Sequence, residues 1–316
     1  MSNSGMGTKM NCPSCGLESK FLAYSVIAPW ITELIQIPRN LLSEYRSCEV
    51  CKLNFFSYRY NSIEMNRLYS SYRKGDYLKK RKKWEPWMRE KDIGGFDPLT
   101  DQENVRKRKT LIEDAFREAG VNRNFESTVD FGGDQGQFFP KQSVGKKYLL
   151  DLSAKPESSS EGQDFMLISS LSEVGQSLDL ILNCFVLEHV SEPKEFLKSL
   201  KIYLNRNGIL FIQVPLDYFS VSRFHKTLFY KTYLKLLIKT NYLFILIDFL
   251  TGVYRLLTRR IPFWGICKQS EHINYFSTFS LSFLCKAISE EYWVSEPNMN
   301  YRHGRLPAGH ISAVIQ

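Results

Sequence analysis

The sequence lacks several features that would place it among secreted, disulfide-bonded or repeat proteins. Residues 1–9 are polar and rich in Gly and Ser, without the apolar stretch of a secretory signal. The seven cysteines are odd in number, which argues against a disulfide framework and suits a reducing compartment. There is no internal repeat and no long low-complexity tract. We therefore expect a cytoplasmic globular protein.

An uninterrupted run of 18 apolar residues is also missing, so no transmembrane span is predicted. The most apolar stretch, 234–257, is broken by charges at Lys235, Lys239, Asp248 and Arg255. Further basic residues flank it, and two interpretations of 224–260 stay open. It is a buried lid over a substrate site, or an interfacial helix that makes peripheral contact with the inner face of a membrane.

Composition indicates ordinary globular domains with a basic surface. The 316 residues are 43% hydrophobic and 24% charged, which predicts two or three domains with real cores. Lys and Arg total 42 against 33 Asp and Glu, a formal charge of +9. That excess favours phosphates, nucleic acid or a membrane surface as partners, although a solvated basic surface explains it equally well.

Short apolar runs alternate with helical patterns in the second half of the chain. The predicted strands are Ser127–Phe131, Lys147–Asp151, Phe165–Ile168, Leu178–Cys184 and Gly208–Val214. A helix with Pro193 in its first turn separates the last two, and Trp293–Met299 with His310–Ile315 predicts a closing hairpin. This alternation is typical of an α/β fold with a parallel sheet and helices on both faces.

A glycine-rich turn follows the first of these strands. Asp130 precedes Gly132, Gly133, Asp134 and Gly136, and the turn is expected to open a helix. Glycines allow a ligand to approach the backbone closely, and a helix N-terminus offers free N–H groups. Asp151 ends the next strand, where a carboxylate can accept both ribose hydroxyls of an adenosine cofactor.

The fourth strand leads into the run Asn183-Cys184-Phe185-Val186-Leu187-Glu188-His189-Val190, and Gly208–Pro215 follows after a helix. In this order the motifs resemble the Rossmann-like S-adenosylmethionine-dependent methyltransferases, although Asp134 stands where that family's turn has a glycine. The resemblance implies that Asp130 and residues 132–136 hold the methionine end of the cofactor. It also implies that Asp151 holds the ribose, that Asn183 contributes, and that 169–171 border adenine.

Two C-x-x-C pairs near the N-terminus predict a zinc site. Cys12 with Cys15 and Cys48 with Cys51 have the spacing at which both thiolates face one tetrahedral ion. Four thiolates leave no open coordination position, so this Zn²⁺ is predicted to be structural. A redox pair, or free thiols that meet by chance, is the alternative.

A zinc module ahead of such a sheet resembles bacterial methyltransferases with an N-terminal zinc-binding domain, among them sugar C-methyltransferases and enzymes linked to surface glycans. The predicted organisation is a flexible tail (1–9), a zinc-binding module (10–60), a helical linker or cap (61–124) and the methyltransferase domain (125–316) with a helical insertion (216–265). Aromatic and basic residues at 68–87 agree with the linker of that group.

Two Glu-His pairs are candidates for acid–base chemistry. His189, beside Glu188, follows the fourth strand at the edge where ligands bind. Glu271 and His272, with Tyr275 nearby, resemble the Glu-His pair and Tyr of the sugar C-methyltransferases. In that interpretation Glu271 orients His272, which removes a proton from a carbon next to a keto group. Packing roles are the alternative for both histidines.

Three functions remain open from the sequence. The first is a methyltransferase that acts on a sugar nucleotide or a surface-glycan intermediate, a small-molecule or glycan acceptor whose phosphate the basic charge would serve. The second is a zinc-containing RNA methyltransferase, supported by the basic run 79–83. The third is a non-catalytic binding protein with a degenerate methyltransferase fold, supported by Asp134 alone. The methylated atom and the oligomeric state are not determined by the sequence.

Overall fold

The computed structural model describes residues 9–89, 102–153, 164–175, 177–297, 302–303, 306–307 and 309–316. Contacts divide the chain into two compact units: unit 1 is Met1–Gly95 with Asp217–Tyr275, and unit 2 is Phe96–Leu216 with Phe276–Gln316. Most of the predicted insertion 216–265 therefore belongs to the same unit as the N-terminal residues. The predicted tail 1–9 lies, except for Lys9, outside the described residues.

The secondary structure alternates along the chain in the predicted manner. The helices are α1 Pro29–Ile35, α2 Ser62–Tyr69, α3 Gly75–Trp84, α4 Gln102–Glu118, α5 Pro193–Lys201, α6 Leu228–Leu237, α7 Asn241–Thr258 and α8 Thr278–Lys286. The strands are β1 Lys20–Ile27, β2 Leu42–Ser47, β3 Asn54–Phe56, β4 Phe125–Phe131, β5 Ser143–Leu150, β6 Met166–Leu167, β7 Leu178–Cys184, β8 Leu204–Leu216, β9 Lys268–Gln269, β10 Asn274–Tyr275, β11 Tyr292–Val294, β12 Arg302–His303, β13 Leu306–Pro307 and β14 Gly309–Ile315.

Unit 1 is built on a five-stranded sheet in the order β10-β3-β2-β1-β9. Neighbours in this sheet are antiparallel except β1 and β9, which are parallel. Its helices are held by a large aromatic core: the rings of Trp30 and Tyr77 lie 5.1 Å apart, edge to face, and Trp84 contacts Phe244 of α7 in the same way at 6.1 Å. Edge-to-face pairs stabilise such cores beyond the area they bury.

Unit 2 is a seven-stranded sheet in the order β11-β14-β8-β7-β4-β5-β6. The strands from β8 to β6 are parallel, whereas β14 runs antiparallel to both β8 and β11. Strands β5 and β6 lie on one side of β4 in this sheet, and strands β7 and β8 lie on the other side. The carboxyl end of β4 is therefore the switch point at which open α/β sheets bind ligands.

The α/β sheet predicted from the sequence is confirmed, and β7 has the predicted bounds, Leu178–Cys184. The predicted closing hairpin is confirmed as β11 paired with β14, although residues 298 and 299 lie outside the described part of the chain. Phe116 of α4 packs against Phe125 and Phe211 on this sheet, with ring centroids 5.5 and 5.4 Å away. The end of α4 therefore covers the sheet near the amino end of β4.

The prediction of a helix after the glycine-rich turn is wrong. Residues 132–142, all described, join β4 to β5 through turns and no helix. Gly132, Asp134 and Gly136 have φ values of 74°, 55° and 68°, and Pro140 follows. Left-handed residues interrupt a right-handed helix, and Pro cannot donate the helical hydrogen bond, so the segment stays a loop.

Candidate functional site

All three glycines of the turn are required for steric reasons, and a Cβ on Gly133 would lie 2.3 Å from Cγ of Asp130. A Cβ on Gly132 would lie 2.5 Å from Cγ2 of Val186, and one on Gly136 would lie 2.6 Å from Cε1 of Phe165. Both glycines also have a positive φ, which other residues rarely adopt. Asp134 adopts the same left-handed conformation at φ 55°, which Asp tolerates better than most residues. Asp134 therefore preserves the path of the loop where the family places glycine.

Asp130 is a buried carboxyl at the switch point. It is 1% exposed, and among the described residues no hydrogen-bond partner reaches its Oδ2. Burial raises the pKa of Asp130 to about 7, and the neighbouring charges of Asp151 and Asp134 contribute while Arg108 opposes the shift. A cation placed beside this carboxyl would stabilise its ionised form.

Asp151 lies directly after β5, next to the end of β4. Its carboxylate accepts hydrogen bonds from the backbone N–H of Asp134 at 3.0 Å, and from the N–H and hydroxyl of Ser153 at 2.7 and 2.6 Å. These bonds hold Asp151 against the turn. Asp130 and Asp151 meet because β4 and β5 are adjacent parallel strands with their carboxyl ends at one edge.

Asn183 supplies the next polar group along the same edge. It lies near the end of β7, next to β4, and is fully buried. Within the described part of the chain, neither its amide nitrogen nor its carbonyl oxygen has a hydrogen-bond partner. Buried polar groups in proteins are normally paired. Unpaired groups on Asn183 and Asp130 therefore indicate a polar ligand at the carboxyl edge of the sheet.

Glu188 and His189 lie in a short helical turn, Leu187–His189, after β7. Burial raises the pKa of Glu188 to about 8, although its own backbone N–H and the charge of Arg108 act in the opposite direction. Nε2 of His189 lies 3.8 Å from Oε1 of Glu188. This places a proton-carrying carboxyl and an imidazole together in unit 2.

Sequence reasoning missed Arg108, which faces this edge from α4. Its guanidinium lies 4.7 Å from the ring centroid of Phe138 and 4.5 Å from that of Phe185. It also acts electrostatically on Asp130 and Glu188. The helical pattern around Arg108 was visible in the sequence, but nothing there indicated which face of the helix meets the turn.

A cavity of about 390 Å³ opens beside the end of the glycine-rich turn, with Gly136, Phe139 and Phe165 in its wall. Its basic residues include Lys141, which is paired with Glu113 at 3.0 Å, and Lys147, which is paired with Asp164. Of the predicted cofactor residues only Gly136 lines it. We therefore do not assign the cofactor site to this cavity.

The other predicted catalytic residues, Glu271, His272 and Tyr275, lie in unit 1. Glu271 is 8% exposed, and two residues of α3 bind its carboxylate. The hydroxyl of Tyr77 donates to Oε1 at 2.6 Å, and Arg81 donates to Oε2 at 3.2 Å. This explains two aromatic and basic residues of the predicted linker: they fix the segment that carries His272.

His272 and Tyr275 line a cavity of about 300 Å³ in unit 1, whose wall contains both charged and apolar residues. Arg255 in its wall is paired with Asp217 at 2.5 Å. Lys268 is paired with Glu85 at 2.8 Å and with Asp248. Burial would lower the pKa of Lys268, but these two carboxylates raise it above its usual value. The cavity is therefore lined by fixed charges of both signs.

The four predicted zinc ligands come together in unit 1. Sγ of Cys12 lies 3.5 Å from Sγ of Cys51, and Sγ of Cys15 lies 3.4 Å from that of Cys48. All four sulfur atoms are within 4.8 Å of one another. Zn–S bonds of about 2.3 Å in a tetrahedron place sulfur atoms about 3.8 Å apart, so the cluster has the dimensions of a four-thiolate zinc site.

Comparison with protein families matches residues 84–288 to a model described as a methyltransferase domain. The match begins at the end of α3 and includes the glycine-rich turn, Asp151, Asn183 and the segment 271–275. No curated protein gives a significant match.

The solved structures that match this chain are distant from it in sequence. The Burkholderia thailandensis 1,6-didemethyltoxoflavin-N1-methyltransferase, with 1,6-didemethyltoxoflavin and S-adenosylhomocysteine bound, is 12% identical with a TM-score of 0.38, over 69% of this chain and 80% of that one. The plantazolicin methyltransferase BamL is 13% identical with a TM-score of 0.43, over 75% and 94%. The magnesium protoporphyrin IX methyltransferase of Synechocystis is 15% identical with a TM-score of 0.37, over 72% and 92%.

Proposed function

Because the methyltransferase domain model matches about two thirds of this chain, the chain belongs to the S-adenosylmethionine-dependent methyltransferases, and we propose that its acceptor is a sugar nucleotide or a surface-glycan intermediate. Because the chain belongs to a family of methyltransferases, it is an enzyme, and the alternative of a non-catalytic binding protein is rejected. The cavity beside His272 is the single observation that carries the choice of acceptor.

The residues at the carboxyl edge of unit 2 fit the cofactor. Two of them, Asp130 and Asn183, are buried polar side chains whose atoms lack partners within the described residues. Asp151, at the neighbouring strand end, retains lone pairs for the ribose hydroxyls. When bound, S-adenosylmethionine supplies a methyl group on a positively charged sulfur. The ionised carboxylate of Asp130 would stabilise a cationic part of such a ligand, and Asn183 would orient it.

The acceptor is proposed to bind in the unit 1 cavity. A sugar has many hydroxyl groups, and a wall of fixed ion pairs offers donors and acceptors to them without further burial of charge. Arg255, Lys268 and Arg81 are each paired with a carboxylate, so they would offer N–H donors to the hydroxyl groups of the acceptor without an excess of positive charge.

His272 is proposed as the base that accepts a proton from the acceptor. Glu271 is proposed to orient it, because Tyr77 and Arg81 hold the Glu271 carboxylate and so fix the backbone of the next residue. Tyr275, in the same cavity, is proposed to contact the acceptor. His189 remains the second candidate base, with Glu188 as its neighbour.

A mass-shift screen of keto-sugar nucleotides with S-adenosylmethionine tests the acceptor. One sugar nucleotide is expected to gain a methyl group with the native enzyme. His272→Ala is expected to lose turnover while calorimetry still shows cofactor binding, and His189→Ala is the matched comparison. If only His189→Ala abolishes turnover, the assignment of the base is wrong. If no sugar nucleotide is methylated while the cofactor binds, the acceptor class is wrong.

The RNA alternative gains no support from the basic run 79–83. Lys80 is paired with Asp76 at 3.5 Å, and Lys83 with Glu33 at 2.7 Å. Arg81 is bonded to Glu271 inside the unit. Three of the five positive charges are therefore engaged by carboxylates instead of facing a phosphate backbone.

We also propose that the cluster of Cys12, Cys15, Cys48 and Cys51 binds one structural Zn²⁺. The support is the four sulfur atoms within 4.8 Å, three of them in buried residues. Four sulfur ligands complete a tetrahedron, so this ion would stabilise the N-terminal part of unit 1 and take no part in methyl transfer.

A further inference from the structure

Helix α7 turns both of its charged residues toward unit 1 and exposes most of its apolar residues. Its buried stripe consists of Phe244, Asp248 and Thr251, and the half-buried Arg255 continues it at the spacing of one helical face. The half-buried Ile245 and Ile247 pack beside this stripe, so the inward side is mixed, whereas the outward side lacks charge. Surface helices normally turn apolar residues inward and polar residues outward.

The opposite face of α7 is almost wholly apolar and faces outward. Tyr242 is 91% exposed and Leu257 81% exposed, the two highest values among the exposed large apolar residues of the described chain. The other members of this exposed face are Leu243, Leu246, Phe249, Leu250, Val253, Tyr254 and Leu256. Leu228 and Phe229, at the start of α6, and Phe263, after α7, add further exposed apolar side chains. Exposed apolar surface of this extent marks a binding surface.

By length and composition, Asn241–Thr258 could cross a membrane, and only 17% of it is buried. Its buried stripe argues for a different position. Asp248 is paired with Lys268, and Arg255 with Asp217, both in unit 1. A spanning helix would have to break these pairs and carry both charges into the bilayer. The helix is therefore tied to unit 1 along one face and open along the other.

The charges around this face identify its partner. Residues 218–267 contain eight Lys and Arg residues and a single acid, Asp248, which is buried. Lys235, Lys239 and Arg260, at the ends of the two helices, are exposed. Exposed Tyr242 and Tyr254 have rings of the kind that sit at the boundary between lipid headgroups and acyl chains. An apolar face rimmed by basic groups is complementary to a bilayer with anionic headgroups.

We propose that the exposed face of α7 docks on an anionic lipid bilayer, with the helix lying in the plane of the surface and its flanking Lys and Arg residues contacting lipid headgroups. Unit 1 stays folded against the buried stripe. The inference does not depend on the nature of the methyl acceptor, because it rests on the exposed residues of α6, of α7 and of the segments next to these helices.

Vesicle sedimentation of the full-length protein tests the proposal. The protein is expected to sediment with vesicles of phosphatidylcholine and phosphatidylglycerol, less with phosphatidylcholine alone, and to be released by high salt. The double variant Leu246→Asn with Leu257→Asn is expected to reduce binding by about tenfold or more, because it removes two inserted side chains. Ile63→Asn, which changes an apolar residue 63% exposed on α2, is the matched control and is expected to bind normally.

Sedimentation velocity without lipid tests whether a second copy of the chain, instead of a bilayer, covers this face. If the native protein does not bind anionic vesicles and forms a dimer that the double variant abolishes, the face joins two copies and the proposal is overturned. A monomer that does not bind these vesicles also overturns it, as does equal loss of binding in Ile63→Asn. Unchanged circular dichroism of each variant shows that the exposed substitutions leave the fold intact.

Discussion

Replacing Asp130 with Asn is expected to weaken cofactor binding and to remove a pH dependence of folding. Burial and two neighbouring carboxylates raise the pKa of Asp130 from 3.8 to about 7. Between these values the folded protein keeps a proton that the unfolded chain has lost. The free energy of unfolding therefore falls as the pH rises through this window and is lowest above it.

The pKa shift of Asp130 gives the size of the effect on stability, and the free energy of a hydrogen bond to a charged group gives the size of the effect on affinity. One pKa unit corresponds to about 1.4 kcal/mol, so ionising Asp130 in the cofactor-free protein costs about 4 kcal/mol. Asn cannot ionise, and the variant should lose this decline in stability. A hydrogen bond to a charged group contributes about 1.5–3 kcal/mol, so cofactor affinity above the pKa should fall roughly ten- to a hundredfold.

Thermal unfolding as a function of pH and calorimetry with S-adenosylmethionine measure the two effects separately. Asp114→Asn is the control, because this carboxylate is paired with Arg117 at 2.7 Å on the surface of α4 and should change neither quantity. The reasoning is refuted if Asp130→Asn binds the cofactor with native affinity and its stability follows the native pH curve.

Three further results are expected. Cys48→Ser should release the bound zinc and lower the unfolding temperature by the same amount as a chelator, as measured by metal analysis and calorimetry; a stable native-like variant without zinc would contradict the structural role. Tyr77→Phe should destabilise the protein by about 1–3 kcal/mol in denaturant titration, because the buried Glu271 carboxylate loses a donor, and no change would show that the bond is not needed. Gly132→Ala should abolish cofactor binding in calorimetry, because its Cβ would lie 2.5 Å from Val186 at a φ of 74°; native binding would show that the turn adapts.

Local patterns in the sequence were sufficient to predict the sheet of unit 2. The strand Leu178–Cys184 is mostly apolar. A parallel strand that is buried on both faces has such a run, so the sequence alone identifies it. Asp130 and Asp151 could be assigned to one edge for the same reason, since residues that end adjacent parallel strands must meet. The spacing also predicted that Cys12 with Cys15 and Cys48 with Cys51 share one site, but only the fold brings the two pairs within 4.8 Å of each other.

The glycine-rich turn shows where local pattern is insufficient. Its glycines predicted the start of a helix. The backbone instead has three left-handed residues between β4 and β5 and forms no helix there. Which conformation a glycine adopts depends on what crowds it, and the crowding comes from Val186 and Phe165, distant in the sequence. Arg108 was missed for a related reason, because only packing selects the helix face that meets the site.

What the sequence by itself determined about this protein is the order of the strands of unit 2 along the chain; it also predicted the turn and carboxylates at the carboxyl edge and the cysteines of the proposed zinc site. Only the tertiary structure decided that Tyr77 and Arg81 hold Glu271, 194 and 190 residues away, and that α7 turns its charges inward and its apolar residues outward. Periodicity gives each helix two faces but does not say which one is buried. That choice depends on the partners available inside the fold, here Lys268, which is paired with the buried Asp248, and Asp217, which is paired with the half-buried Arg255.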